Sequence, residues 1–385
     1  MPSQKVKSHF GIFRPHFFDR YKIALIADLD KRSKSFSKDF WASYLLEGYL
    51  FYYPTSRRVD VRFQNEDQTL LKGTFSVRKR GMELSELIVF NGSLFTCDDR
   101  TGIVFRIIQQ SSGTEHSNES HKTGNGQLMV TTNAQDSNGI ENKTFGLAET
   151  SRLRRRLNEM GGMLNFSEQT ENKRPYKLIP WLVLMDGDGL QEKPFKCEWM
   201  AVKDHHLYVG GLGKEWTTPT GEYVNNHPQW IKKISPQGLV THLDWADHYK
   251  SMAKSIGIQQ PGYVIHESAA YSQQWKRWVF LPRKASSLQY DEEQDEKHGT
   301  NFLIKADDDF SNVTFKQVGN LDPLHGFSSF KFIPNTDDQI VIAIKSMEYK
   351  DKVSTFIMAF DLDGRVLMEE RLVNNEMKFE GIEFV

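Results

Sequence analysis

The sequence predicts an all-β protein: a five-bladed β-propeller of four-stranded antiparallel blades, with its ring closed by pairing of the N- and C-terminal strands. Short alternating strands fill most of the chain, and a hairpin with charged ends recurs along it. The most complete copy is Pro194–Trp216, where Glu198 precedes an apolar run, a polar turn at residues 203–205 and a second run that ends at Lys214.

Composition and charge limit the possible functions. The chain has 385 residues, 38% of them apolar and 26% charged, with a formal net charge of −1. This is enough to build a large core, and it lacks the basic excess that a nucleic-acid-binding protein usually carries. No apolar run approaches the roughly 20 residues of a membrane span, and no secretion signal is visible at the N-terminus.

Two cysteines and five glycosylation sequons bear on the compartment. Cys97 and Cys197 fit no zinc pattern, and we expect two buried free thiols. The sequons mildly favour a lumenal or secreted protein; they begin at Asn91, Asn118, Asn142, Asn165 and Asn312.

The elements follow in order. Residues 1–20 are predicted to be an N-terminal arm, and residues 21–385 a single propeller domain interrupted by an insertion at about 109–174. The insertion is polar and poor in aromatic residues, so we expect it to be mostly disordered apart from one helix at 147–163. Other expected elements are strands at 21–30, 41–53, 59–63 and 70–77, a loop at 64–68, a hairpin turn at Asn91-Gly92 and a short helix at 249–258.

The polar residues that open the hairpins recur at intervals of 113, 69, 61 and 52 residues, the first being lengthened by the insertion. They are Ser85, Glu198, Glu267, Ser328 and Glu380. The fifth opener has no second strand after it because the chain ends at Val385. We expect IALIADLD (residues 23–30) to supply that strand, which would also protect an exposed sheet edge.

The innermost strands of a propeller line its channel, so these five residues should face a shared axis. Three glutamates there would repel one another unless a cation lay among them. Oxygen ligands without a cysteine or histidine set favour Ca²⁺ over zinc or copper. The alternative is that these residues merely begin exposed strands.

The ends of the second strands carry a further set of charged residues. Carboxylates there could orient or deprotonate a water molecule, and cations could hold a di- or triphosphate. Trp216 could stack on a base. The residues are Asp28, Asp30, Asp99, Arg100, Lys214, Arg283 and Lys345. No P-loop or GxGxxG motif is present, and each charge taken alone could be a solvated strand end.

The stretches IADLD, RGMELSELIVFNG, DDRTG, EWMAVKD, LYVGGLGKEWTT, PGYVIHESA, FLPRKAS, HGFSSFKFIPNTDDQI, KSMEYKD and KFEGIEF resemble the calcium-activated nucleotidases, the soluble apyrases. The resemblance covers essentially the whole chain outside the N-terminal arm and the insertion. It implies a five-bladed propeller with Ca²⁺ held by Ser85, Glu198, Glu267, Ser328 and Glu380. It also implies catalytic carboxylates at Asp28, Asp30 and Asp99, phosphate ligands at Lys214, Arg283 and Lys345, and Trp216 near the base.

The sequence therefore predicts a Ca²⁺-dependent hydrolase of nucleoside di- and triphosphates such as UDP, GDP and ADP, in the ER or Golgi lumen or secreted. The alternative is a non-catalytic propeller that uses calcium structurally and binds a protein partner. A calcium-dependent esterase or lactonase would share the channel metal without needing the cationic strand ends. A homodimer stays open.

Overall fold

The computed structural model describes residues 18–35, 39–109 and 176–385, without the side chains of residues 65–67. The predicted helix at 147–163 and almost all of the predicted N-terminal arm and insertion lie outside the described residues. Among the residues described, no helix is both long and apolar enough to cross a membrane.

Strands dominate the described chain. In order they are β1 (Asp19–Asp28), β2 (Trp41–Tyr53), β3 (Arg58–Gly73), β4 (Leu84–Phe90), β5 (Ser93–Asp98), β6 (Ile103–Gln109), β7 (Tyr176–Val183), β8 (Trp199–Lys203), β9 (His206–Gly210), β10 (Trp216–Thr217), β11 (Tyr223–Asn225), β12 (Trp230–Ile234), β13 (Val240–Asp244), β14 (Tyr263–Ser272), β15 (Arg277–Ser286), β16 (Phe302–Asp307), β17 (Val313–Gln317), β18 (His325–Phe332), β19 (Ile340–Tyr349), β20 (Lys352–Asp361), β21 (Val366–Asn374) and β22 (Lys378–Phe384). Two α-helices occur among the described residues, α1 (Ala246–Ser255) and α2 (Glu292–Asp295).

Twenty of these strands form five antiparallel four-stranded sheets. From the inside outwards their orders are β22-β1-β2-β3, β4-β5-β6-β7, β8-β9-β12-β13, β14-β15-β16-β17 and β18-β19-β20-β21. Strands β10 and β11 form a separate two-stranded ribbon. The innermost strands pack in the cyclic order β22, β4, β8, β14, β18 and back to β22. The five-bladed propeller is thereby confirmed.

The ring closes as the sequence predicts. The C-terminal strand β22 pairs antiparallel with β1, with Leu25 opposite Ile382. This pairing joins the two ends of the chain in one blade, and it covers the edge of β1 that β2 leaves free.

Apolar side chains fill the spaces between neighbouring blades. A large aromatic cluster lies between the third and fourth blades and includes Trp199, Trp245, Trp278 and Phe280. Each blade therefore buries its faces against the next one, and the ring is held together by packing between blades.

The expectation of free thiols is wrong. Cys97 and Cys197 form a disulfide, with their Cα atoms 6.3 Å apart. Cys97 lies on the second strand of one blade and Cys197 just before the inner strand of the next, and they are 100 residues apart in sequence. Only the packing of these two neighbouring blades brings them together, so their spacing gave no indication of the bond.

Several predicted elements differ in their bounds. The strand predicted at 21–30 runs from Asp19 to Asp28, and Asp30 begins a short 3-10 helix. The strand expected at 59–63 and the first four residues of the strand expected at 70–77 belong to the single strand β3, which ends at Gly73. Its pairing with β2 shifts register at the predicted loop, since Gly48 lies opposite Phe63 and Leu46 opposite Gln68. The helix expected at 249–258 begins three residues earlier, as α1.

Candidate active site and cation site

The predicted cation ligands lie at β-bulges of the inner strands. In four blades the register with the second strand shifts at the ligand; for example, Leu84 pairs with Asp98 and Glu86 with Cys97, which leaves Ser85 as the extra residue. The shifts fall at Ser85, Glu267, Ser328 and Glu380. All four residues lie within their strands and not ahead of them as the sequence suggested. Ser85 is the second residue of β4, Glu267 the fifth of β14, Ser328 the fourth of β18 and Glu380 the third of β22.

The third blade repeats this arrangement in a modified form. The backbone N–H of Glu198 donates to the carbonyl of Gly210 at 2.8 Å, and Gly210 is also the partner of Trp199. A bulge locally re-aims a side chain and increases the twist of its strand. The five predicted ligands thus occupy equivalent positions around the ring, each at a break in the regular pairing.

Arg283 joins two of these ligands. One guanidinium nitrogen, Nη1, lies 2.8 Å from Glu380 Oε1 and also contacts Glu267, while Nη2 lies 2.7 Å from Glu348 Oε2. The guanidinium is almost completely buried. Burial alone would lower the pKa of Arg283, but the three carboxylates outweigh it and raise that pKa well above its usual value. Arg283 is therefore a permanent cation inside the ring.

Lys378 extends the network towards the predicted catalytic carboxylates. Its Nζ lies 2.9 Å from Asp28 Oδ2 and from Glu348 Oε1, and 3.1 Å from Asp30 Oδ2 and from Glu380 Oε1. Burial and the nearby Asp30 raise the pKa of Asp28 well above its usual value, because one ammonium shared among four carboxylates cannot offset them.

Lys196 makes a second bridge. Its Nζ lies 2.5 Å from both Asp99 Oδ2 and Glu198 Oε1. Burial raises the pKa of Glu198 most, Lys196 lowers it, and the nearby Glu267 raises it again. The net result is a pKa well above the usual value. Lys196 thus links a channel carboxylate to a predicted catalytic one.

Asp28 and Asp30 lie beside a third carboxylate that the sequence argument missed. Oxygen atoms of Asp28, Asp30 and Glu83 lie within 4.8 Å of one another, the one acidic group of this kind in the described part of the chain. Glu83 is buried and pairs with Arg80 and Arg100, its Oε2 lying 3.0 Å from Arg100 Nε. Burial and the charge of Asp99 raise the pKa of Glu83 to about 8.

These ion pairs leave an excess of negative charge. Eight carboxylates meet five basic side chains, so full ionisation would leave three uncompensated negative charges in a partly buried region. The acids are Asp28, Asp30, Glu83, Asp99, Glu198, Glu267, Glu348 and Glu380, and the bases are Arg80, Arg100, Lys196, Arg283 and Lys378.

The donor set fits a hard cation. The buried hydroxyl of Ser85 has no hydrogen-bond partner among the described residues, whereas that of Ser328 lies 2.5 Å from the hydroxyl of Ser346. Carboxylate and hydroxyl oxygens are the ligands that Ca²⁺ prefers, and a divalent cation would offset most of the excess charge.

A cavity of about 600 Å³ opens beside Asp99. Five basic side chains line it, together with only two acidic ones, so it suits a polyanion. The charged lining residues are Arg78, Arg80, Arg100, Lys193, Lys196, Asp99 and Glu192; Val77, Pro194 and Trp216 complete the wall.

Trp216 is held in this wall by a buried carboxylate. Its indole Nε1 donates to Asp186 Oδ2 at 3.1 Å, and Asp186 is 1% exposed. The ammonium of Lys193 lies 3.4 Å from the centroid of a Trp216 ring. The indole is therefore fixed in orientation, with a cation over one face.

The other predicted cations lie outside the lining of this cavity. Lys214 Nζ donates to the carbonyl of Glu215 and to Thr217 Oγ1, and Lys214 lines a separate cavity of about 450 Å³ between α1 and the start of β14. Lys345 is buried and pairs with Glu370 at 3.1 Å. Arg283 lies in the channel network. Of the predicted substrate residues, Arg100 and Trp216 line the cavity together with Asp99.

Sequence reasoning missed most of the cations that line the cavity and much of the network. Arg80 and Glu83 stand in the RGMELSEL stretch, five and two residues before Ser85, and Lys196 stands two residues before Glu198. Lys378 bears the same relation to Glu380. The available signal was this clustering of charges around each hairpin opener.

Known proteins resemble this chain over nearly its full length. The family model described as Apyrase matches residues 29–135 and 155–385. "Soluble calcium-activated nucleotidase 1" of Rattus norvegicus is 43% identical over 366 residues, which cover 95% of this chain and 74% of the relative. The "Apyrase" of Cimex lectularius is 34% identical over 368 residues, covering 95% and 83%, and "Apyrase apy-1" of Caenorhabditis elegans is 33% identical over 383 residues, covering 98% and 89%. The chain belongs to the apyrase family.

Proposed function

We propose that this protein is a Ca²⁺-dependent nucleotidase that removes the terminal phosphate of nucleoside di- and triphosphates such as UDP, GDP and ADP. The observation that supports it best is the basic cavity beside Asp99, which adjoins the cluster of Asp28, Asp30 and Glu83. The relatives' names support the same class of reaction.

The phosphates would lie against the basic wall of the cavity. Arg80 and Arg100 present guanidinium groups, which bind phosphate oxygens with two parallel hydrogen bonds. Lys196 adds an ammonium directly beside Asp99. The base would stack on the Trp216 indole, whose orientation Asp186 fixes. Lys214, Arg283 and Lys345 now contact other groups of the protein. They would bind phosphate only after the substrate displaced those partners.

The reaction is a displacement at phosphorus. A water oxygen forms a bond to the terminal phosphorus while the bond from that phosphorus to the bridging oxygen breaks. A carboxylate among Asp28, Asp30 and Asp99 would accept the water proton, and the products are inorganic phosphate and a nucleotide with one phosphate fewer. The surrounding guanidinium and ammonium groups would stabilise the charge that develops on the phosphate oxygens.

Ser85, Glu198, Glu267, Ser328 and Glu380 would hold the calcium ion. When bound, the ion would supply positive charge that keeps the channel carboxylates ionised and close together. Glu198 also contacts Lys196, and Glu380 contacts Lys378. Through these two lysines the geometry of the cation site would fix the positions of Asp99, Asp28 and Asp30.

We place the protein in an oxidising compartment, the ER or Golgi lumen or the outside of the cell. The Cys97–Cys197 disulfide supports this, since such bonds persist mainly in oxidising environments.

The test is phosphate release from UDP, GDP, ADP and ATP, measured in calcium and again in EGTA. We expect release with at least one nucleotide in calcium and its loss in EGTA. Replacing a guanidinium that contacts phosphate, in Arg80→Met, should lower kcat/KM by about 10- to 100-fold. Asp28→Asn should abolish release while the circular dichroism spectrum is kept.

Arg106→Met is a matched control, because Arg106 is exposed on β6 and lies outside the cavity lining. It should keep the wild-type rate. A folded protein that releases phosphate from none of these nucleotides would contradict the proposal and favour a protein-binding propeller. Full activity in EGTA would contradict the calcium requirement alone.

A further inference from the structure

We propose that Asn91 and Asn312 carry N-linked glycans, which lie on the face of the ring opposite the candidate active site. Both asparagines begin Asn-x-Ser/Thr sequons, Asn91-Gly92-Ser93 and Asn312-Val313-Thr314. This inference is independent of the proposed catalytic activity.

Both asparagines stand at exposed hairpin turns. Asn91 begins the two-residue turn between β4 and β5, and a side-chain carbon built at its neighbour Gly92 would meet no atom within 4 Å. Asn312 ends the turn between β16 and β17, where its carbonyl accepts from the backbone N–H of Asp307 at 3.1 Å. Both side chains are exposed, so there is room for a bulky sugar at each turn.

The direction of the strands places both turns far from the site. Asn91 follows Ser85 by six residues along β4, and at about 3.3 Å per residue this is a separation of roughly 20 Å. In the fourth blade Asp307, beside the second turn, pairs with Arg277. Arg277 precedes Arg283 by six residues on β15, again roughly 20 Å. Glycans on these turns would leave the cavity beside Asp99 open.

Each sequon also adjoins an exposed apolar side chain. Val89 is 42% exposed two residues before Asn91, and Phe315 is 43% exposed three residues after Asn312. A glycan at each turn would cover part of this apolar surface, which would otherwise face water.

The modification needs a lumenal chain and a sugar donor. The Cys97–Cys197 disulfide supports passage through a compartment where such donors act. The asparagine Nδ2 would form a bond to C1 of the sugar and lose one proton, while the sugar–phosphate bond of a lipid-linked oligosaccharide breaks and a lipid pyrophosphate leaves.

The experiment uses the full chain, directed into the secretory pathway of a eukaryotic cell by a cleavable signal and purified from the medium. Site-by-site mass spectrometry of its glycopeptides, before and after enzymatic removal of N-glycans, reports the occupancy of each asparagine. We expect glycan on both Asn91 and Asn312.

Ser93→Ala and Thr314→Ala keep the asparagine and remove the sequon, so each should abolish glycan at its own site alone. Asn335 is a control: it is an exposed asparagine with a positive φ of 60°, but it lacks the hydroxyl residue two positions on. It should stay unmodified. Secreted chains with unmodified Asn91 and Asn312 would overturn the proposal, and so would an equal loss of glycan at both sites in each single variant.

Discussion

Replacing Lys378 with methionine tests the charge network most directly. The ammonium of Lys378 is almost completely buried and lies within 3.1 Å of oxygen atoms of four carboxylates. Methionine keeps much of the length and the apolar stem of the side chain but removes the charge. The variant therefore leaves Asp28, Glu348 and Glu380 without a cation that they now share.

The magnitude follows from the burial of these groups. Breaking a buried ion pair by removing one partner costs about 3–5 kcal/mol, and Lys378 serves four partners. We expect a loss near 4 kcal/mol in the free energy of unfolding in EGTA, about a thousand-fold in the equilibrium constant. Added calcium should recover part of this loss, because the cation would offset some of the same negative charge.

The loss should depend on pH with a definite sign. Lys378 now opposes the rise in the pKa of Asp28, so its removal raises that pKa further. A carboxylate whose pKa is higher in the folded than in the unfolded state binds more protons when folded, and stability falls as the pH rises. Lys378→Met should therefore cost more at pH 8 than at pH 5.

Urea unfolding of the wild type and the variant, at both pH values and with or without calcium, measures these differences. Lys250→Met is the matched control: its partner Asp247 is exposed and lies 3.4 Å away, so the change should stay within about 0.5 kcal/mol. Equal stability of wild type and Lys378→Met in EGTA would refute the view that this lysine balances the buried carboxylates.

Three further predictions concern single residues. Glu198→Gln should reduce the rise in melting temperature that calcium produces, and an unchanged rise would remove Glu198 from the cation site. Asp186→Ala removes the hydrogen-bond acceptor of the Trp216 indole. It should raise KM for UDP about 5- to 10-fold. Hydrolysis of inorganic tripolyphosphate should be unchanged, because that substrate has no base. An equal effect on both substrates would show that Asp186 serves the fold and not the base. Burial and Asp99 raise the pKa of Asp98 to about 7 from 3.8. Asp98→Asn should therefore reduce the fall in the free energy of unfolding between pH 4 and 7, by at most about 1.4 kcal/mol per pH unit. Urea unfolding that shows the wild-type dependence of stability on pH would contradict this.

The fold was accessible from the sequence because a propeller repeats a local pattern. Each hairpin has its own alternation, turn and polar ends, and these are properties of neighbouring residues. The C-terminal hairpin opener lacked a second strand, and the segment at residues 23–30 was the remaining candidate. The structure pairs them, as β22 and β1. The same reasoning indicated that Glu198 and Glu380 take equivalent places in their blades.

The partners of the charged side chains were not accessible in this way. Arg283 and Lys345 end equivalent second strands, yet Arg283 joins the channel carboxylates while Lys345 pairs with Glu370. The difference depends on which residues neighbouring blades bring within a few ångströms, and no local pattern records it. The Cys97–Cys197 bond is a second case, since its atoms meet only where two blades pack.

The sequence by itself determined the number of blades, the closure of the ring and the family, because these follow from short-range periodicity repeated along the chain. Only the tertiary structure decided which cations neutralise which carboxylates, where the basic cavity opens and how Asp186 holds Trp216. Coulombic and hydrogen-bond energies depend on distances between atoms that are remote in sequence, and those distances exist only once the blades have packed.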